Sequence, residues 1–193
     1  TPMTEPQTPP PFEDYARRAL AALNRSAVAI AGELDVDKVL QLIVEAARDL
    51  GGARYAALAV GDWRGGSPGN VQRFVYSGMT REEARAVAHW PRGEGLLGAV
   101  IHGQRAIRVE NIAADERCSG MPAGHPAMTS FLGVPIVGAG ETLGNLYLAD
   151  KIGAPSFSEG DEELIRLLSA HAAVAIQSAR LYAQLERLAV LEE

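Results

Sequence analysis

Apolar and polar positions alternate along this chain with two different periods. From Phe12 to about Ala31, Tyr15, Ala19, Leu20, Leu23, Ala27 and Ile30 recur at intervals of three and four, with Arg17, Arg18, Asn24 and Arg25 turned away. That is the period of a helix with one buried face. A second helix starts at Leu34-Asp35, with Asp35 as its cap. It presents Val39, Leu42, Ile43, Ala46, Ala47 and Leu50 on one side and stops at Gly51-Gly52. The period then shortens. Arg54–Gly61 and Val71–Tyr76 read as two strands of a hairpin around the loop Trp63–Asn70. Thr80 caps a short helix that runs toward Trp90, with Glu83 as its capping-box partner. Pro91–Gly98 reads as a glycine-rich link, followed by a short apolar turn to Ile101. Ala106–Val109 is a short third strand, and Asn111–Pro126 shows no period.

Thr129–Val137 and Thr142–Ala149 are the best strands, joined by the turn Gly138-Ala139-Gly140-Glu141. Ser158 opens a long helix, with Asp161 in the capping-box position. Leu164, Leu167, Leu168, His171, Val174, Ala175, Ser178, Leu181 and Tyr182 follow at helical spacing. The apolar pattern continues through Leu185, Leu188 and Leu191, farther than one small domain covers, so this tail is expected to pair with another helix. The order of elements predicts an α+β fold, a central antiparallel sheet flanked by N- and C-terminal helices.

At 193 residues there is room for one core plus helical extensions, and 47% hydrophobic with 22% charged residues reads as soluble and globular. A net charge of −6 without a dense Lys/Arg cluster argues against nucleic acid as the main partner. The single cysteine, Cys118, excludes an intrachain disulfide and fits a reducing cytoplasm. No apolar run is long enough to span a membrane. Residues 1–11 read as a disordered, Pro-rich lead-in, and the ends of the chain suggest a piece excised from a longer protein.

Hydrolase and transferase signatures are missing. The segment PRGEGLLG lacks the Lys-Ser/Thr of a phosphate loop, and the acids Glu159, Asp161, Glu162 and Glu163 suit the positive start of a helix. Among the histidines, His89 reads as a helix-end cation, His102 as solvated, and His171 as a core or interface residue on the apolar side of the last helix. His125 stands apart because Pro122 and Pro126 stiffen its loop and Gly124 permits close backbone approach. A neutral histidine nitrogen on a stiff loop can hold haem iron, although the spacing alone leaves that role open. Tyr147, by strand alternation, shares a face with Asn145 and Ala149, opposite Leu146 and Leu148. It is either a core aromatic or a hydroxyl donor facing a cavity. Cys118 reads as an inert thiol.

The order ARYAALAV, GEGLLGAVI, RVENIAADE, FLGVPIV, LGNLYLADK and FSEGDEELIRLLSAHAAVAIQSARLY resembles a GAF domain over residues 33–183. More narrowly, residues 51–182 resemble the haem-binding first GAF domain of DevS/DosT-type sensor histidine kinases. The pieces that carry this are GARYAALAV, EEARAVAHWPRGEGLLGAVI, GHPAMTSFLGVPI and GNLYL. Here the loop reads GHPAM where that group has an HHPPM-like segment. The resemblance implies a GAF fold over 33–183, preceded by a signalling or dimer helix at 12–32 and followed by the start of a coiled-coil linker at 184–193. It implies haem b, with iron held by His125 and Tyr147 as the polar donor to a diatomic gas (O2, CO or NO). Met128, Phe131, Leu132, Leu96 and Leu97 are expected to form the apolar haem wall. A non-enzymatic, cytoplasmic sensor is expected, homodimeric through its terminal helices and coupled to a downstream kinase or other output domain. The alternative is a non-haem GAF module that binds another small molecule or acts only in dimerisation and signal relay. A GAF-fold sulfoxide reductase is disfavoured, since such enzymes need several reactive cysteines.

Overall fold

A computed structural model describes residues 11–61, 71–88 and 93–191. Residues 1–10 of the polar lead-in, the Trp63–Asn70 loop and His89 fall outside the described residues, and Pro11 already belongs to a helix. In chain order the elements are helices α1 (Pro11–Ala31) and α2 (Val36–Gly51), strands β1 (Ala53–Gly61) and β2 (Val71–Ser77), and helices α3 (Arg81–Ala86) and α4 (Gly95–Gly103). Then come β3 (Ile107–Val109), β4 (Phe131–Gly138), β5 (Glu141–Lys151) and the 33-residue helix α5 (Glu159–Leu191). The five strands form one sheet in the order β2-β1-β5-β4-β3. Every neighbouring pair is antiparallel, as the α+β reading expects.

The sequence signals for helix ends act as predicted. Asp35 accepts a bond from the Lys38 amide at 3.1 Å, and Gly52 closes α2 in the left-handed conformation at φ 57°. Thr80 and Glu83 form a reciprocal capping box on α3. Ser158 and Asp161 do the same for α5, and the buried Asp161 carboxylate also receives Lys151 Nζ at 2.8 Å. Lys151 donates to the Gly51 carbonyl at 2.9 Å as well, so the ends of α2, β5 and α5 meet at one ammonium group.

The sheet separates two apolar layers. On one side Leu58, Val60, Leu132, Val134, Ile136, Leu146 and Leu148 pack against α2 and α5 in the main core, and α1 lies against those two helices. On the other, Ala59, Phe131 and Tyr147 pack under Leu96 and Val100 of α4 with Ile112. Two expectations change here. The stretch read as a glycine-rich link and apolar turn is the nine-residue helix α4, whose three glycines hide its period while the burial of Leu96, Val100 and Ile101 holds it in place. His171 is exposed on α5, so of its two readings the core one falls and the interface one is left open. The apolar positions of α5 form two stripes. Leu164, Leu168, Ala172, Ile176 and Ala179 enter the core, whereas Leu167, Val174, Leu181 and Leu188, seven residues apart, face outward.

Candidate functional site

A cavity of about 200 Å³ opens on the α4 side of the sheet. Its floor is the middle of the sheet. Tyr147 stands on β5 opposite Ala57 of β1 and Gly133 of β4, two small neighbours that leave its ring room. Phe131 lies beside it with ring centroids 6.1 Å apart. Leu96 and Leu97 come from α4, and further lining comes from the segments before α3 and around His125.

Local chemistry fixes the His125 loop. Pro122-Ala123-Gly124-His125 is a tight turn closed by a bond from the His125 amide to the Pro122 carbonyl at 3.1 Å. Gly124 sits third with φ 77°, a conformation that favours glycine. A Cβ there would overlap the carbonyl oxygen of Ala86 at the end of α3. The turn is tied to that region again by the Ala88 amide, which donates to the Ala123 carbonyl at 2.9 Å. Downstream, the Thr129 amide donates to Asp150 Oδ1 at 2.6 Å, and the Asp150 amide to the Ser130 carbonyl at 3.0 Å. The loop is therefore pinned at one end to α3 and at the other to the strand that carries Tyr147. Asp115 and Arg117 brace the earlier part by two side-chain bonds of 2.7 and 2.8 Å, and the guanidinium holds the Asp115 pKa down at about 2.

The His125 ring is half-buried, with Nδ1 2.8 Å from the Pro126 carbonyl oxygen. A carbonyl only accepts, so Nδ1 must carry the proton in this contact. In the neutral ring the lone pair is then on Nε2. Tyr147 is nearly sealed, its hydroxyl has no hydrogen-bond partner among the described residues, and burial pushes its pKa far above the ordinary value.

Of the residues expected at the site, His125, Tyr147, Phe131, Met128, Leu96 and Leu97 all line this cavity. Leu132 does not. It follows Phe131 on β4, so the strand turns it to the opposite face, where it is fully buried in the main core. Other lining residues gave no signal in the sequence. Tyr55, Phe74 and Val87 arrive from β1, β2 and the end of α3, and Met79, Met121 and Cys118 join Met128, so every sulfur side chain among the described residues lines the cavity. Methionine is flexible and polarisable, and such a wall adapts to its guest. Cys118, read as inert, therefore stands at the cavity, half-buried and free.

The sequence model of the GAF domain matches residues 33–177. The chain belongs to the GAF domain family. GAF domains are sensory and signalling modules. Among solved structures, the chain is similar to the GAF domain of an Acinetobacter phosphoenolpyruvate-protein phosphotransferase, with 26% identity and a TM-score of 0.66 over 84% of this chain and 94% of that one. It is also similar to the corresponding GAF domain from Coxiella burnetii, at 23% identity and a TM-score of 0.71 over 88% and 98% of the two chains. A third is the GAF domain of a putative sensor histidine kinase from Pseudomonas syringae pv. tomato, at 16% identity and a TM-score of 0.61 over 91% and 96%. The last two likenesses carry the fold alone.

Proposed function

We propose that this GAF domain is the sensor unit of a signalling protein, that it holds haem b through His125, and that it reports on a diatomic gas or on the redox state of the iron. The observation that carries this reading is the 2.8 Å contact between His125 Nδ1 and the Pro126 carbonyl. Metal-ligating histidines characteristically give their second N–H to a carbonyl or carboxylate, which orients the ring and raises its basicity. Among the described residues no group of three His, Cys, Asp or Glu is placed to hold a bare metal ion. One imidazole in an apolar pocket instead suits a metal that brings its own macrocycle. Bound haem would supply an iron able to take up a gas; Tyr147 would offer that gas a hydrogen bond from a dry wall, and Phe131, Leu96, Leu97 and Met128 would exclude water.

The cavity lies below the roughly 300–1,000 Å³ usual for small-molecule sites, which favours a second reading, a smaller non-haem ligand at the same place. The adaptable sulfur-lined wall is what lets the first reading stand beside it. In either case the signal leaves through α5. Leu167, Val174, Leu181 and Leu188 fall at seven-residue intervals on its outer side, with His171, Ser178 and Leu185 between them. That spacing supports a two-helix coiled-coil seam, and with it a homodimer coupled to a kinase or other output domain.

Hemin titration of the purified protein tests the proposal. A Soret band that shifts on reduction and again with CO is expected, and His125→Ala should lose the axial ligation and recover it with added imidazole. A wild-type protein that leaves the hemin spectrum unchanged refutes haem binding and leaves the smaller-ligand reading. Normal ligation in the His125 variant removes that residue from the role.

A further inference from the structure

Aromatic and small residues alternate on the α4-side face of the sheet like a checkerboard. Across the strands, in register, Tyr76 of β2, Ala57 of β1, Tyr147 of β5 and Gly133 of β4 form one row. Two residues along each strand, Tyr55 of β1, Ala149 of β5 and Phe131 of β4 form the next. Ala57 is thus a low point with Tyr76 and Tyr147 on either side and Tyr55 at its end. Ala149 is bounded in the same way by Tyr55, Phe131 and Tyr147. All six of these residues line the cavity.

The spacing suits a cation. Neighbouring strands lie about 4.8 Å apart, so Tyr76 and Tyr147 stand on strands about 9.6 Å apart with Ala57 between them. A group seated midway over Ala57 has an aromatic strand about 4.8 Å to each side, within the roughly 6 Å over which a ring face attracts a cation. Tyr55 already holds one cation in this manner, the Arg54 guanidinium 5.1 Å from its ring centroid. Charge in the wall points the same way. Among the described residues that line the cavity there is no lysine or arginine, and there is one carboxylate, that of Glu94. Glu94 takes the cap position of α4 but makes no side-chain capping bond. Its charge offsets the positive start of that helix, the one feature of the wall that would favour an anion. Glu94 is exposed, so solvent screens its pull and the rings carry most of the selection. The volume of about 200 Å³ restricts the ligand to a compact one.

We propose that this cavity binds a compact quaternary ammonium compound, with the charged head seated over Ala57 between Tyr76 and Tyr147. A primary ammonium is strongly hydrated and would lose its water to a wall poor in acceptors, whereas an alkylated head needs no hydrogen bond and meets ring faces directly. The proposal names the ligand class for the second reading above, a small non-haem ligand at this place, and rests on that reading.

Three probes of one shape and different charge test it by calorimetry on the hemin-free protein: choline, its neutral carbon isostere 3,3-dimethylbutan-1-ol, and the anion 3,3-dimethylbutanoate. Choline should bind at least about tenfold more tightly than the alcohol, the sum expected of two ring faces, and the carboxylate should bind most weakly. Tyr76→Leu keeps the net charge and an apolar side chain but removes one ring. It should weaken choline about fivefold and change the alcohol less than about twofold, with Tyr147→Leu as the second variant should the first not fold. An alcohol that binds wild type as tightly as choline overturns the cation class and leaves the small-ligand reading standing. Equal losses of choline and alcohol in the ring variants would mean that the rings only fill space, and would overturn the proposal. A preference for choline that survives the ring variants and vanishes in Glu94→Gln would overturn the seat over Ala57. Failure of all three probes to bind overturns the proposal together with the reading it rests on, and the hemin titration then decides the haem reading separately.

Discussion

Replacing Gly124 with alanine tests how the His125 loop beside the cavity is built. Gly124 has φ 77°, and moving a non-glycine residue into left-handed space costs roughly 1–2 kcal/mol. The new Cβ would collide with the Ala86 carbonyl, so the turn must withdraw from α3 and stretch the bond from the Ala88 amide to the Ala123 carbonyl. One such bond is worth about 0.5–1.5 kcal/mol. Against these stands about 0.4–1 kcal/mol from the stiffer unfolded chain. The net expectation is a loss of about 1–3 kcal/mol, concentrated in the turn because Gly124 lies outside both apolar layers. Hydrogen exchange read by mass spectrometry should show the 120–128 segment exchanging roughly 5- to 150-fold faster, the same energy expressed as a local opening. Peptides from β5 should keep their wild-type protection. Unchanged exchange around His125 would refute the argument that Gly124 sets the loop's position. Equal loosening of β5 would show that the turn is not a separate unit.

Leu132→Ala should cost about 2–5 kcal/mol in denaturant unfolding, since the side chain is fully buried against the helices. It should leave ligand affinity at the cavity unchanged, and a large affinity loss would show that the sheet does not insulate its two faces. Tyr147 gives a pH dependence of known sign. Its pKa is raised in the folded state, so its contribution is intact below the unfolded value near 10 and falls as the pH rises past it, the unfolded phenol ionising while the folded one stays neutral. Above pH 10 the stability of Tyr147→Phe should therefore decline less steeply than wild type, by up to about 1.4 kcal/mol per pH unit, and parallel curves would mean that the phenol is not sealed. Leu181→Glu on the exposed seam of α5 should turn a dimer into a monomer by light scattering without lowering the melting temperature of the domain; a monomeric wild type would remove the helix-pair reading.

Much of this fold was legible because its signals are local. Caps at Asp35, Thr80 and Ser158 mark helix starts, and the two-residue alternation of β5 assigns Tyr147 to one face and Leu146 and Leu148 to the other. The same alternation, applied to Phe131 and Leu132, puts them on opposite faces; grouping both in one wall ignored it. Helix α4 was hidden for a different reason. Glycines at 95, 98 and 103 erase its propensity, and its stability comes from packing under β4 and β5, a long-range term that no local window contains. The sulfur-rich wall was invisible too, because Met79, Met121 and Cys118 come together only through the contact between α3 and the His125 loop.

The long helix shows why a correct period can still be assigned wrongly. Its apolar residues recur every three or four positions, which predicts a helix but does not say how many partners it has. A stripe that enters one core spans about 100° or more of the helix surface. Here Leu164, Leu168, Ala172, Ile176 and Ala179 occupy such a stripe, and the sheet and α2 fill the space beside them. Leu167, Val174, Leu181 and Leu188 lie beyond its edge, so a second covering surface is required to bury them. Because this outer seam begins at Leu167, eight residues past the start of α5, it runs beside the domain as well as beyond it. A change in how α5 sits on the sheet then rotates the seam itself. On the proposed reading, the helix pair and the cavity are attached to opposite faces of one sheet, and a ligand that favours one placement of α5 on that sheet would bias the pairing of two such helices.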